Sequence, residues 1–377
     1  MRTFFMLCSA TLIATTTLFA QNTKGSKKCD VSSTKDLLKS EKGKEKQEPC
    51  GNMVQTAPPP VEKKCLPAAY NAPAGIDVKG WDVDVFGSFI YWHVSQDSMD
   101  LAHVLPASTA TTVTPGVVAY QDFKYKPGFK AGLGFNTNYD GWVGWAEYTW
   151  LHQDTTTSQN PPALPSGAVG TWVVQDWFTT PVGITEGTAV TSKWTMKLDM
   201  LDAMFSRPYY QGTKITIDPF AGLRGLWLRQ DLNIAFGIPN VAVASKQWAV
   251  GPNAGVGGHW MLGTGVRFEG KAAASLLYTR YTKYSHTEQN SLAALPTTTS
   301  FSSWSAVRPI AELGVGLGWG KYLACNHYYL DFSARYDFML FWEQNIMRQN
   351  TSNLLGTVDY PGDLQMHGLT ASARLDF

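Results

Sequence analysis

His367-Gly368-Leu369-Thr370-Ala371-Ser372-Ala373-Arg374-Leu375-Asp376-Phe377 closes the sequence. Leu369, Ala371, Ala373, Leu375 and Phe377 share one parity, and Thr370, Ser372, Arg374 and Asp376 share the other. Period two puts one set on each face of a β-strand. Bacterial outer-membrane barrels usually finish on such a strand with an aromatic last residue. Leu375 and Phe377 are therefore the expected assembly signal, read by the barrel-assembly machinery. One alternating segment fits a half-buried strand of a soluble protein equally well, so the rest of the chain decides.

Upstream the pattern recurs. Trp81, Val83, Val85, Phe89 and Tyr91 alternate against Asp82 and Asp84. Phe129, Ala131, Leu133 and Phe135 oppose Lys130 and Asn136, and Trp142, Ala146, Tyr148 and Trp150 oppose Glu147. Trp194, Met196, Leu198 and Met200 oppose Lys193, Lys197 and Asp199. Ile215, Ile217, Ala221, Leu223 and Trp227 oppose Asp218 and Arg224. Trp248 to Trp260 alternates with glycines, and Val266 to Tyr278 opposes Arg267, Glu269 and Lys271. Val307 to Trp319 opposes Arg308 and Glu312, and Tyr328 to Phe338 opposes Asp331, Arg335 and Asp337. The terminal stretch is the tenth strand. Val169–Thr180 offers a further hairpin, so the expected range is ten to sixteen strands.

Two regularities separate this series from a soluble sandwich. Trp and Tyr recur at the ends of the apolar faces, as in an interfacial girdle. Connections also alternate in length: long at 96–122, 153–192, 230–245, 283–303 and 343–363, short at 137–141, 207–212, 262–265 and 320–326. Long loops outside and short periplasmic turns is the rule for outer-membrane barrels. The expected fold is an all-β, transmembrane, antiparallel up-and-down β-barrel over 81–377. Both termini are then periplasmic, and outer-membrane lipid is the expected surround.

Composition agrees. Charged residues make up 16% and aromatics 13%, which suits strands with one face in lipid, and a net charge of +1 gives no basic surface for nucleic acid. Residues 1–20 read as a signal peptide: Arg2, an uncharged run from Phe4 to Phe19, then Ala20. Residues 21–80 hold no Trp, crowd lysines between Lys24 and Lys46, and contain Pro58-Pro59-Pro60. They read as a flexible periplasmic arm. Cys29, Cys50 and Cys65 lie in that arm and Cys325 in a short turn on the same side. Disulfides among them are geometrically allowed, as are free or locally paired thiols. Without C-x-x-C or a His cluster, no metal or other cofactor is expected.

By parity, the expected pore-lining residues are Lys130, Glu147, Lys197, Asp199, Asp218, Arg224, Arg267, Glu269, Lys271, Arg308, Glu312, Asp331, Arg335, Asp337, Arg374 and Asp376. Their near-balanced charge predicts weak ion selectivity if a channel is open. The same residues could instead fill the barrel with salt bridges, since small barrels pack their interior. The best hydrolytic cluster is Asp97, Asp100 and His103, on a polar loop, and no enzyme activity is expected from it.

Trp81-Asp82-Val83 through Phe89-Ile90-Tyr91-Trp92, Pro127-Gly128-Phe129-Lys130-Ala131-Gly132-Leu133-Gly134, Asp218-Pro219-Phe220-Ala221-Gly222-Leu223-Arg224 and the terminal Gly368-Leu369-Thr370 through Phe377 resemble the Legionella major outer-membrane protein family. That family consists of pore-forming barrels, also found in chlamydia-like bacteria. The resemblance implies a porin passing ions and small hydrophilic solutes. The alternative is a structural or adhesive barrel with little conductance. The chlamydia-like relatives build cross-linked envelopes, which adds a homo-oligomer or disulfide-linked neighbours to the expected partners. The cysteine-bearing arm departs from the family's ordinary start.

Overall fold

The computed structural model describes residues 76–377, apart from 77, 79, 105–106, 109–112, 115, 138, 162–171, 174–176, 179–188, 212, 238, 290–294 and 349–360. The expected signal peptide, the arm to residue 75 with Cys29, Cys50 and Cys65, and most of the Val169–Thr180 hairpin lie outside the described residues.

Ten long strands form one closed antiparallel ring. They are β1 (Val83–Gln96), β2 (Tyr125–Asn136), β3 (Val143–Gln159), β4 (Val190–Ser206), β5 (Ile215–Ala235), β6 (Asn240–Gly263), β7 (Val266–Gln289), β8 (Trp304–Leu323), β9 (Tyr328–Asn345) and β10 (Gly362–Asp376). Each pairs with the next, and β10 returns to β1 in continuous register from Asp84 opposite Asp376 to Gln96 opposite Leu364. The last residue completes the seam: Phe377 N–H donates to Val83 O at 3.0 Å, and Val83 N–H donates to Phe377 O at 3.2 Å. Closure leaves no edge strand, so every backbone group within the ring can be satisfied in lipid. Among the described residues no helix is long and apolar enough to cross a membrane. The strands do the crossing.

Contacts to the barrel begin before Trp81. Asn136 Nδ2 donates to Ile76 O at 2.9 Å, and Val78 is buried. The segment just ahead of β1 is tied to the barrel end that carries the chain terminus.

Large apolar side chains face outward around the ring, among them Val85, Leu133, Leu201, Leu223, Val250, Leu276, Leu313 and Leu369. Only lipid accounts for such an exposed belt. Trp81, Tyr139, Trp142, Tyr209, Trp260 and Tyr328 rim it at the terminus end, and Phe129, Trp227, Tyr278 and Tyr336 at the other. From Ile215 to Trp227 the strand runs roughly 40 Å at about 3.4 Å per residue, so the usual tilt gives a belt about 30 Å tall. Leu223 sits mid-belt and 60% exposed, whereas Leu375 is near the rim. Leu223→Arg is expected to destabilise by about 2–4 kcal/mol and Leu375→Arg by about 1 kcal/mol or less. Equilibrium unfolding in lipid vesicles reads the difference.

At the terminus end the connections are tight. Gly263, Thr264 and Gly265 all have positive φ, the conformation a two-residue hairpin loop requires. At the other end the strands outrun the belt. The segment expected as a long loop at 230–245 is mostly strand: β5 and β6 continue to Ala235 and Asn240, and Phe236 N–H meets Pro239 O at 2.9 Å. Leu232, Ile234, Val241 and Val243 there point inward and are buried.

That extension corrects the fourth strand. Trp194, Met196, Leu198 and Met200 were expected to face lipid, but they face the interior, at no more than 1% exposure. Lys193, Lys197 and Asp199 are on the outer surface. Here β4 has risen above the apolar belt, so its outer face meets water and headgroups while its inner face meets an apolar core. The polarity of the two faces inverts with height. Parity alone cannot detect this.

Candidate functional site: the barrel interior

The interior has three levels. Nearest the terminus end, Arg374 Nη2 lies 2.5 Å from Asp376 and 3.3 Å from Asp84, across the β10–β1 seam. Arg267 holds Asp331 with two N–H groups, one at 2.8 Å, and reaches Glu269 at 3.2 Å. Asp218, His259 and Tyr329 stand beside them around a cavity of about 190 Å³. It adjoins another of about 250 Å³ that reaches Glu147, Lys271 and Arg335. Acids outnumber bases at this level.

Above it is a balanced belt of ion pairs, built from β2–β5 and β7–β10. Arg224, 1% exposed, donates to Asp202 through Nε at 2.6 Å and Nη2 at 2.9 Å. Its Nη1 meets Glu312 and donates to Ser275 at 3.2 Å. Lys271 reaches Glu312 at 3.4 Å, and Lys130 reaches Glu147 at 3.3 Å. Arg335 donates to Asp337 at 2.7 Å, and Asp337 also accepts from Thr370 at 2.6 Å. Each cation has a carboxylate and each carboxylate a cation, the condition under which charges survive burial. The void beside Lys130, Lys271, Glu312 and Arg335 is only about 10 Å³. That is roughly the room for one water.

Interior glycines make this packing fit. A Cβ on Gly318 would collide with the Arg267 guanidinium, and one on Gly134 with the Asp84 carboxylate.

The third level is an apolar plug filling the long-loop end. Trp92 begins it, with Lys130 Nζ 5.1 Å from its ring centre and its Nε1 donating to Thr370 Oγ1 at 3.1 Å. Above come Leu151, Trp194, Leu198, Leu228, Leu232, Tyr281, Tyr284, Phe341 and Met366, all buried. Loop residues fold in to join them. The segment Asp100–Val104 pairs with Val117–Tyr120, and its Leu101 packs in the same core as Trp177 and Phe178. Trp177 Nε1 donates to Asp100 O at 2.8 Å. Arg308 pairs with Glu343 at this rim.

Of the residues expected to line a pore, Lys130, Glu147, Asp218, Arg224, Arg267, Glu269, Lys271, Arg308, Glu312, Asp331, Arg335, Asp337, Arg374 and Asp376 face the interior. Lys197 and Asp199 do not. Lys197 is exposed outside, and Asp199 accepts from the outward Tyr148 hydroxyl at 2.5 Å and contacts His152 at 3.2 Å. Asp84, read on the polar face of the first strand, also faces the interior, whereas the reading by parity missed Asp202 and the whole plug. Asp202 lay just beyond the run that was read, and alternation with the buried Met200 and Met204 would have found it once β4 was inverted.

Each member of the loop trio, Asp97, Asp100 and His103, contacts a residue outside it. Arg348 takes Asp100 at 2.5 Å, and His103 is bridged through its backbone to Val173. Burial, then the neighbouring Asp363 carboxylate, pushes the Asp97 carboxyl up. Cys325 lies in the 324–326 turn with φ 60°, at the terminus end. Among the described residues there is no cluster of three or more His, Cys, Asp or Glu arranged to hold a metal.

The family model described as Legionella pneumophila major outer membrane protein precursor matches residues 76–377. The chain belongs to this family. The match begins at residue 76, the first described residue, and includes every barrel strand. Family and fold together indicate the bacterial outer membrane. No curated protein sequence matches. Among solved structures, the outer membrane protease OmpT from Escherichia coli aligns at 10% identity and TM-score 0.39, covering 80% of this chain and 98% of that one. Ail, the attachment invasion locus protein of Yersinia pestis, aligns at 9% and 0.22, covering 78% and 97%. CymD, a monoaromatic hydrocarbon channel, aligns at 9% and 0.27, covering 78% and 88%. Likeness at this level carries no argument about activity.

Proposed function

We propose that this family member is a structural outer-membrane barrel, closed at rest, which holds a broad loop-bearing surface on the cell exterior with both termini in the periplasm. The observation that carries the reading is the Arg224 belt beneath the Trp194 plug. Two successive layers, one ionic and one apolar, occupy the bore that a porin would leave to water. The extended β5–β6 and β7 tops and the long connections give such a barrel a large outer surface for adhesion or contact between cells. Proteoliposomes carrying the refolded full chain are expected to swell no faster in arabinose than protein-free liposomes. Swelling at a rate that falls with solute size would sink the reading.

A second reading, gated passage of ions and small solutes, has one observation in its favour. The long-loop half of the interior contains buried amide atoms without a hydrogen-bond partner among the described residues: both polar atoms of Gln96 and of Gln153, Nε2 of Gln230 and Oε1 of Gln247. Buried polar groups ordinarily find partners, so a permanently dry plug suits these amides poorly and an intermittently wet one suits them better. The balanced belt would then make conduction weakly selective.

A further inference from the structure

The outer surface of β3–β7 carries a feature that neither closure nor conduction uses. His152 pairs in register with Lys197, Lys197 with Arg229, Arg229 with Lys246, and Lys246 with Lys283. These side chains form one row across five adjacent strands, and Lys197, Arg229, Lys246 and Lys283 are all exposed. Like charges directly opposite one another across strands are destabilising. The barrel therefore carries a repulsive row with no use for it in its own fold.

Acidic neighbours meet the row only in part, at His152 and Arg229. Asp199 is engaged by Tyr148 and His152, and Asp231 by Arg229 at 3.0 Å. Asp154, one step higher on β3, sits 3.9 Å from Lys126. Among the described residues Lys197, Lys246 and Lys283 have no acidic partner. A register shift between Lys246 and Gln247 turns both Thr282 and Lys283 outward, and Thr282 Oγ1 donates to Lys246 O at 3.1 Å. Such bulges re-aim side chains, and this one keeps Lys283 in the row.

Position supplies the partner. The row directly below reads Trp150, Asp199, Trp227, Trp248 and Arg280, the upper aromatic girdle. Girdle aromatics lie at headgroup depth, so the cations stand where lipid phosphates lie. The placement is confined to one flank. Around the same girdle, β9, β10, β1 and β2 present Tyr336, His367, His93 and Tyr125. From Lys197 to Lys283 the row crosses three strand spacings, roughly 14 Å at about 4.8 Å each. That is wide enough for two phosphates on one headgroup.

We propose that this row is a binding site for an outer-leaflet glycolipid whose sugar headgroup carries two phosphates, the acyl chains lying down the apolar face below Trp227 and Trp248. It rests on the orientation proposed above, with both termini periplasmic and the long connections outside, and is independent of whether the lumen conducts. The refolded full chain in zwitterionic detergent is titrated with a bis-phosphorylated, acylated glucosamine disaccharide, and bound lipid is counted by native mass spectrometry. Wild type is expected to retain it. The Lys197→Gln/Lys246→Gln/Lys283→Gln variant is expected to bind at least about tenfold more weakly. Lys246→Gln alone moves in the same direction with the least disturbance to the fold. Lys214→Gln/Lys321→Gln, at the terminus end, is expected to bind as wild type does. Equal retention by wild type and the triple variant would overturn the proposal, as would undiminished binding of the dephosphorylated disaccharide. Phosphatidylglycerol binding as tightly, or displacement by an equal concentration of inorganic phosphate, would overturn the assignment to a two-phosphate lipid.

Discussion

Arg224→Ala is expected to lower the unfolding free energy of the barrel by about 3–5 kcal/mol. The guanidinium is buried at the centre of the ion-pair belt, with two N–H groups on Asp202, one toward Glu312 and one on Ser275. Truncation leaves two carboxylates, on β4 and β8, without the guanidinium that joined them across the lumen. Asp202 loses the cation that donates to it, and Glu312 keeps Lys271 at 3.4 Å. The loss comes mainly from those stranded charges, not from the net value of the pairs. Arg224→Lys should fall between wild type and Ala, because an ammonium cannot hold Asp202 through two parallel bonds. Arg224→Met/Asp202→Leu removes the guanidinium with the carboxylate it would strand, leaves Glu312 on Lys271, and should recover most of the loss. Urea-induced unfolding in lipid vesicles, followed by Trp fluorescence, orders the variants. A loss in the double variant as large as in Arg224→Ala would show that shape, not charge, sets the effect.

Trp194→Ala is expected to cost about 3–5 kcal/mol, the usual range for emptying a large aromatic site that cannot collapse. Trp194 is fully buried, and its ring meets Phe123 edge-on at 5.2 Å, an element far away in sequence. It therefore joins β4 to the first long connection inside the barrel mouth. The damage should concentrate at the long-loop end. Limited proteolysis of folded protein should cut sooner between β1 and β2, while the heat-modifiable band on gels persists. If Trp194 faced lipid, Trp194→Ala would barely alter stability and the cleavage pattern would match wild type.

These two residues show what was legible in the sequence and what was not. Arg224 could be placed because β5 keeps a plain rhythm through the lipid zone, with Leu223 outside and Arg224 inside. The same holds for Arg267, Glu312, Asp331, Asp337 and Arg374. Nine of the ten strands could be read for the same reason, and the fourth by an alternation whose faces were assigned the wrong way round. Trp194 was misplaced because apolar no longer means outward above the belt. Lys197 and Asp199 followed it to the wrong side. A chain with an apolar belt outside below and an apolar plug inside above reads as continuous alternation throughout, and only height tells the two apart. The turn at 236–239 was hidden likewise, since polar outward residues near Gln230–Ser245 look like loop. Gly318 and Gly134 read as strand glycines, and their role in admitting Arg267 and Asp84 needs the opposite wall.

The central claim is that belt and plug close the bore. Planar-bilayer recording of the refolded full chain tests it most directly, with Arg224→Ala and Trp194→Ala recorded beside it. The account predicts no steady ohmic channel from wild type at low voltage, and brief, noisy openings once either layer is weakened. Stable, long-lived conductance steps from wild type, unchanged in both variants, would contradict it.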